Sequence, residues 1–526
     1  MKKINLLAVV MAGAFAVACN GGGSSGGSSN PEPSPTPTPT PTVTPTPTPT
    51  PTPIPIPVIG SIAFFPTSTT MLTGRLFTTV LALSGAQNLP SDVVVTLSSS
   101  SESATITSTT CTLSVDSNTC NVAITAVAAG TVLINATAAG YTITPFTALI
   151  SPSIGTVSLP QTGQTLTSPV NPALVGMDGY TFIGVPWAYV TSGPTTPVTR
   201  FTVGTGAESN CVTDNLTGLM WIKDLNTVKI NSNATGALTN WQNALDSIAT
   251  ANNGSGYCGH TDWYLPTVND LTSLLNYGAS NSSAWLMGQG FSNIKRYWYL
   301  SSSSYAFGTS DAWSVSFDSG FVFFSNKTSF LSYVWPVRGR SSLTAAPAQV
   351  PATGETGGAV GSNKGVAWPI PRFVAGSGTT ADCITDKLTG LMWAKNGIVG
   401  FKSYELGAPI AQPDYANTSA NLNWLAWTQA LTAVGNMNHA PIKLCGYSDW
   451  RLPNIVELKS MINYGQSPAT WINAQGFVNV KEPGYWSSST SALDTDAASD
   501  VEFSYGRVST WSKYSNHNVW PVRGGQ

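Results

Sequence analysis

Cys211-Val-Thr-Asp214-Asn-Leu-Thr-Gly-Leu-Met-Trp221 returns further along the chain as Cys383-Ile-Thr-Asp386-Lys-Leu-Thr-Gly-Leu-Met-Trp393. This doubled stretch decides the architecture, because three more blocks recur in the same order. Cys258-Gly-His-Thr-Asp262-Trp263-Tyr264-Leu-Pro266 matches Cys445-Gly-Tyr-Ser-Asp449-Trp450-Arg451-Leu-Pro453. Val334-Trp335-Pro-Val-Arg338-Gly339 matches Val519-Trp520-Pro-Val-Arg523-Gly524, and the lead-ins Gln161-Thr-Gly163-Gln-Thr165 and Ala352-Thr-Gly354-Glu-Thr356 also pair. The chain therefore holds two copies of one domain, at 159–340 and 350–526. The second carries about 15 extra residues near 400–423, an insertion of the kind that surface loops tolerate.

Periodicity sketches each copy as α+β. Trp241, Ala244, Leu245 and Ile248 share one face of a helix, and Trp427, Ala430, Leu431 and Val434 repeat the spacing. A second helix starts after Leu-Pro, capped by Thr267 with Asp270 in one copy and by Asn454 with Glu457 in the other. Gly278 and Gly465 are placed to end it. The pattern then changes to period two at Trp313, Val315 and Phe317, and Asp318-Ser319-Gly320 turns the chain into Phe321 and Phe323.

The N-terminal part reads as processing signal, tether and spacer. Lys2 and Lys3 precede a short apolar core, and Ala16-Val17-Ala18 leads to Cys19, the pattern of a lipoprotein signal peptide over 1–18 with lipid on Cys19. Asn20, in place of Asp, favours the outer membrane, with display at the cell surface or on the periplasmic face. Residues 19–57 read as a tether, a Gly/Ser-rich coil followed over 31–57 by Pro-Thr repeats whose polyproline rod reaches roughly 80 Å at ~3.1 Å per residue. From 58 to 152, short β-branched runs such as Val93-Val94-Val95-Thr96-Leu97 predict an all-β sandwich. Its strand pattern and the Ala129-Gly130-Thr131 strand entry resemble bacterial immunoglobulin-like surface domains, which implies a spacer. The whole chain of 526 residues is 9% charged with net charge -2, giving no surplus of positive charge for nucleic acid.

The Asp-x-x-Thr-Gly-Leu-Met-Trp block, the Asp-Trp-Arg-Leu-Pro-x-x-x-Glu-Leu block and the closing Val-Arg-Gly resemble the Lcl C-terminal domain family, named from a bacterial collagen-like adhesin. The Arg-Leu-Pro block and closing Arg-Gly are also similar to C-type-lectin-like and formylglycine-generating-enzyme domains. The resemblance implies two α+β C-type-lectin-like domains after the immunoglobulin-like sandwich. It also implies adhesion, since the family's named member binds sulfated glycosaminoglycans. The first copy departs from the motif, with Tyr264 where the second keeps Arg451. A charge within so apolar a block is expected to be paired internally, so Arg451 reads as structural and Tyr264 as a packing replacement.

Seven cysteines, with Cys19 set aside, leave an even number for an oxidising compartment. Spacing and duplication favour Cys111–Cys120, which would close a hairpin loop, Cys211–Cys258 and Cys383–Cys445. Neither Cys-x-x-Cys nor clustered His points to zinc. His260, His439 and His517 occupy no position shared by the copies, and no nucleophile–base set stands out, so no catalytic residue is assigned. A hydrolase built on paired carboxylates stays as a third reading. Asp214, Asp262, Asp386 and Asp449 recur and would suit calcium, but turn and cap hydrogen bonding is favoured, so no cofactor is expected. Gln412-Pro413-Asp414 resembles a sugar-specificity tripeptide of calcium-dependent lectins, yet it lies in the insertion and has no counterpart.

Aromatic faces stack on sugar C–H surfaces. Trp298, Tyr299, Trp313, Tyr485, Trp486, Trp511 and Tyr514 are the ligand candidates, with the core as the rival location for Trp313 and Trp486. Acids and bases balance within each copy, so binding of a sulfated polymer would need a local cluster such as Lys295 with Arg296, or Arg507 with Lys513. The leading expectation is a non-enzymatic surface adhesin that holds extracellular glycans through two domains for avidity. A structural component contacting other surface proteins is the alternative.

Overall fold

The computed structural model describes residues 60–524, except 66, 73–75, 85–88, 90, 117, 128–129, 152–155, 166–175, 188–198, 231–233, 340–345, 357–358, 360, 363, 402–412 and 416–422. The signal peptide, Cys19, the tether, Ala129 and Gln412 lie outside the described residues. The chain divides into units 1–55 and 56–526, and the described residues all belong to the second.

Alternating apolar residues build a β-sandwich first. Val95 and Leu97, Val122 and Ile124, and Val132 and Ile134 point inward from their strands. One five-stranded sheet runs Ala104–Ile106, Thr119–Ala126, Leu76–Ser84, Gly60–Phe65, Tyr141–Ile143. The other runs Ser68–Leu72, Phe146–Ser151, Gly130–Thr137, Val93–Ser99, Thr110–Leu113. Between them the Phe146 ring lies 5.6 Å from Phe64 and 5.6 Å from Phe77. Cys111 and Cys120 are bonded, but they do not close a hairpin. Their strands belong to opposite sheets, so the disulfide pins one sheet to the other.

In each copy the doubled block is a tight hairpin. Cys211–Asp214 pairs with Leu219–Ile222, and Cys383–Asp386 with Met392–Ala394. Gly218 and Gly390 turn them at φ 74° and 75°, a left-handed conformation that glycine adopts without strain. The closing Arg-containing strand adds beside the hairpin, Met220 opposite Arg338 and Met392 opposite Arg523. Cys211–Cys258 and Cys383–Cys445 staple this small sheet to the turn before Asp-Trp, each worth about 2–4 kcal/mol.

Three helices follow in each copy: α1 (Trp241–Asn253), α2 (Val268–Ser273) and α3 (Ser282–Met287), then α4 (Trp427–Met437), α5 (Ile455–Ser460) and α6 (Pro468–Ala474). Both expected capping boxes are present, Thr267 with Asp270 and Asn454 with Glu457. Gly278 and Gly465 do not terminate those helices, which end several residues earlier. They are glycine because the lead-in passes over them, and a Cβ there would collide with the backbone of Gly163 or Gly354.

The hairpins of the two copies form one sheet. Strands β1 (Trp298–Ser304), β2 (Asp311–Ser316) and β3 (Val322–Asn326) of copy one join β4 (Gly484–Thr490), β5 (Ala497–Glu502) and β6 (Arg507–Ser512) of copy two in the order β1-β2-β3-β6-β5-β4. Val322 pairs with Val508 at the seam, both buried. A continuous apolar core runs beneath both copies, with Trp313 5.1 Å from Tyr464 across them. The lead-ins cross over as well. Val157 N–H donates to Leu388 O at 2.7 Å, and Ala348 N–H donates to the equivalent Leu216 O at 2.9 Å. At the centre of this pseudo-two-fold, equivalent positions on α2 and α5 meet, and the buried Lys459 amine donates to the Thr272 hydroxyl. Burial pushes that amine down to about 7. Under strict symmetry two like residues would face each other here, and two lysines would repel, so the copies have diverged to fit together. Two separate domains on one tether, as the avidity argument assumed, are not what forms.

Candidate functional site

Each recurring aspartate faces a recurring arginine. Asp214 takes both Nε and Nη2 of Arg200 at 3.2 and 3.0 Å, and Asp386 takes those of Arg372 at 2.9 and 2.8 Å. Each guanidinium also donates to a carbonyl, Ser273 O at 2.5 Å or Ser460 O at 2.8 Å. Arg200 stacks on Trp187 and Phe201 at 4.6 and 4.8 Å, and Arg372 on Trp368 and Phe373 at 4.5 and 4.7 Å. Asp262 and Asp449 hold Arg338 and Arg523 bidentately, from 2.6 Å and 2.7 Å. Bonding to Arg338 holds the Asp262 carboxyl below the usual carboxylate range. Sequence reading missed Arg200 and Arg372, although an Arg-Phe pair precedes the Asp at the same distance in both copies.

Arg451 is internal too. It grips the capping acid Glu457 through two bonds of 2.6 Å and donates to Gly524 O at 2.8 Å. In copy one the acid is the shorter Asp270, and Tyr264 fills the slot as a buried ring with Lys364 Nζ 5.7 Å from its centre.

Four of the seven aromatic candidates are core residues: Tyr299, Trp313, Tyr485 and Trp486 offer no face to a ligand. Strands β1, β2, β4 and β5 are covered on both faces, so alternation exposes none of these rings. Tyr299 and Tyr485 play one role twice, accepting from the Lys295 and Lys481 amides at 2.8 Å, with burial raising both phenols. Trp298 is half-buried against Phe330. Three of the four cationic candidates, Arg296, Lys513 and Arg507, already have partners. Arg296 pairs with Asp318 at 2.6 Å, and Lys513 lies 4.7 Å over the Trp427 ring while donating to Thr495 O. Arg507 sits at the seam over Phe323 and Tyr505 at 4.5 and 4.7 Å, with Glu502 at 3.6 Å.

Trp511 and Tyr514 do reach solvent, at 53% and 81% exposure, and Trp424, 38% exposed, joins them. The buried His517 ring organises this face. Trp424 stacks parallel to it at 5.9 Å, Trp486 packs at 4.3 Å and Trp511 at 5.6 Å. His517 Nδ1 lies 3.4 Å from Asp500, which accepts from Ser509 at 2.6 Å. Copy one has no such face: Leu238 stands three residues before its helical Trp241, as Trp424 does before Trp427. Counted from Lys327 and Lys513, Ser325 and Thr328 replace Trp511 and Tyr514. A second exposed patch at the seam joins Phe307 and Phe323 of copy one to Tyr505 of copy two. Among the described residues no three His, Cys, Asp or Glu side chains group as metal ligands, and no helix is long and apolar enough to cross a membrane.

Among curated proteins none matches this chain significantly. Of solved structures, domains 4 and 5 of the S-layer protein SbsC align at 15% identity over 18% of this chain and 53% of that one, with a TM-score of 0.15. The D00-D0 domain of intimin aligns at 18% identity over 17% and 43%, with a TM-score of 0.14. The chain thus spans about half the length of these structures or less. The model of the Lcl C-terminal domain matches residues 210–338 and 382–523, just over half of the sequence, and both crossing lead-ins precede the matched segments. Those two matches fall on the two interlocked copies, and the chain belongs to the Lcl C-terminal domain family.

Proposed function

We propose that this protein is a non-catalytic surface adhesin whose second copy binds carbohydrate on the Trp424–Trp511–Tyr514 face. The observation that carries the reading is the exposure of Trp424 and Trp511 against a buried histidine, with the exposed Tyr514 three residues beyond Trp511, at positions where copy one has Leu, Ser and Thr. Aromatic faces pack against sugar C–H surfaces while an indole N–H or phenol serves a hydroxyl. The recurring carboxylates act as arginine partners rather than as calcium ligands or catalytic acids. Lipid on Cys19 and the Pro-Thr tether hold the protein at the outer membrane, and the copies are relatives of C-type-lectin-like domains. In this reading the chain has one glycan site, not two.

The test is glycan-array binding by the full-length protein, with sulfated polysaccharides included, in calcium and in chelator. Saturable binding is expected, weakened about tenfold in Trp511→Ala, the loss of one stacked ring at ~1.4 kcal/mol. Leu238→Ala in copy one should leave it unchanged. Binding lost under chelation would return the aspartates to a calcium role. No binding to any glycan would remove the carbohydrate reading and favour a protein-contacting envelope component, for which the exposed Phe307, Phe323 and Tyr505 are the matching surface.

A further inference from the structure

The two lead-in crossings share a backbone course but differ in one atom. In the first, Gln164 reaches copy two. Its Oε1 accepts from Thr490 N–H at 3.1 Å, and its Nε2 donates to Thr490 O at 2.5 Å and Tyr277 O at 3.3 Å. In the second, Glu355 reaches copy one, and its Oε1 accepts from Ser304 N–H at 3.1 Å. Ser304 and Tyr464 are the counterparts of Thr490 and Tyr277, so Glu355 Oε2 stands where Gln164 has its amide nitrogen. That oxygen is buried and has no hydrogen-bond partner among the described residues. A carboxylate oxygen can only accept, whereas a carboxylic acid donates as the amide does.

We propose that Glu355 is a proton-operated latch between the copies: protonated, it clamps the second lead-in as Gln164 clamps the first, and ionised, it loosens that crossing. The charged group facing it is Lys327, which follows β3 and donates to the Ser304 hydroxyl at 3.0 Å. Asp311 of β2 acts on Lys327 in turn. The other residues beside Glu355 in this cleft, Trp241 of α1, Tyr305 after β1 and Gly465 after α5, bring no charge at neutral pH. Burial raises the Glu355 carboxyl, while its bonds to Ser304 and the charge of Lys327 offset part of that rise. An acid raised on folding contributes stability that is full below its unfolded value and is lost as pH rises through the folded value.

Hydrogen exchange in the full-length protein, corrected for intrinsic rates, reads each crossing at its own amide. From about pH 4 to about pH 8, protection of the Ser304 amide relative to the Thr490 amide is expected to fall about tenfold. Glu355→Gln should abolish that fall, and Gln164→Glu should impose it on Thr490. A Ser304-to-Thr490 ratio that stays constant with pH in the unmodified protein would overturn the latch. So would an undiminished fall in Glu355→Gln.

Discussion

Val508→Asp in the second copy is expected to unfold both copies in one transition, at a cost of roughly 3–5 kcal/mol. Val508 is the residue of β6 that pairs with Val322 of β3, so the substitution forces a carboxylate into the seam of the six-stranded sheet. The apolar core is continuous beneath that seam, and loosening one side removes packing from the other. The sandwich has its own core, and its strand amides serve as the internal control, expected to keep their protection. Urea unfolding followed by hydrogen exchange distinguishes the cases. If copy one kept its original midpoint while copy two melted early, the joined sheet would be wrong.

Asp386→Ala should cost about 3–5 kcal/mol, because it leaves a buried guanidinium without its counter-charge. Arg372 and Asp386 are both buried, and Arg372 is fixed further by Ser460 O and the Trp368 and Phe373 rings, so it cannot swing out to water without breaking the packing. Removing both charges, as Arg372→Met with Asp386→Leu, should recover most of the loss, since well-packed apolar replacements of buried pairs are often neutral. The urea midpoints of the single and double variants are the measurement. A cost below about 1 kcal/mol for Asp386→Ala is the worth of an exposed pair, and it would leave Asp386 free for ligand or metal binding.

The parts of this fold that sequence exposes are those set by neighbours in the chain. The amphipathic run from Trp241, the capping boxes at Thr267 and Asn454 and the sandwich strands all form where periodicity places them. The cysteine pairs follow from duplication in the same way. What it hides depends on contacts between the copies. Sequence leaves Trp313 between ligand face and core, and its packing on Tyr464 of the other copy is what makes it core. Gly278 looks like a helix terminator until the lead-in is seen passing over it. Trp424 was overlooked because it precedes a helix at the edge of the insertion, and only its folding against His517 brings it beside Trp511. The signal was nonetheless present, since aligning the copies sets Trp424 against Leu238 and Trp511 against Ser325.

The most direct test of an interlocked pair of copies is to cut the chain between them. A protease site placed within 340–345, cleaved in the folded full-length protein under non-reducing conditions, leaves every described contact across the seam intact. The two fragments are expected to elute together at low concentration and to unfold in one transition, held by the β3–β6 pairing and both crossing lead-ins. Separation into two folded, independently melting fragments would contradict the single body and restore two autonomous domains on one tether.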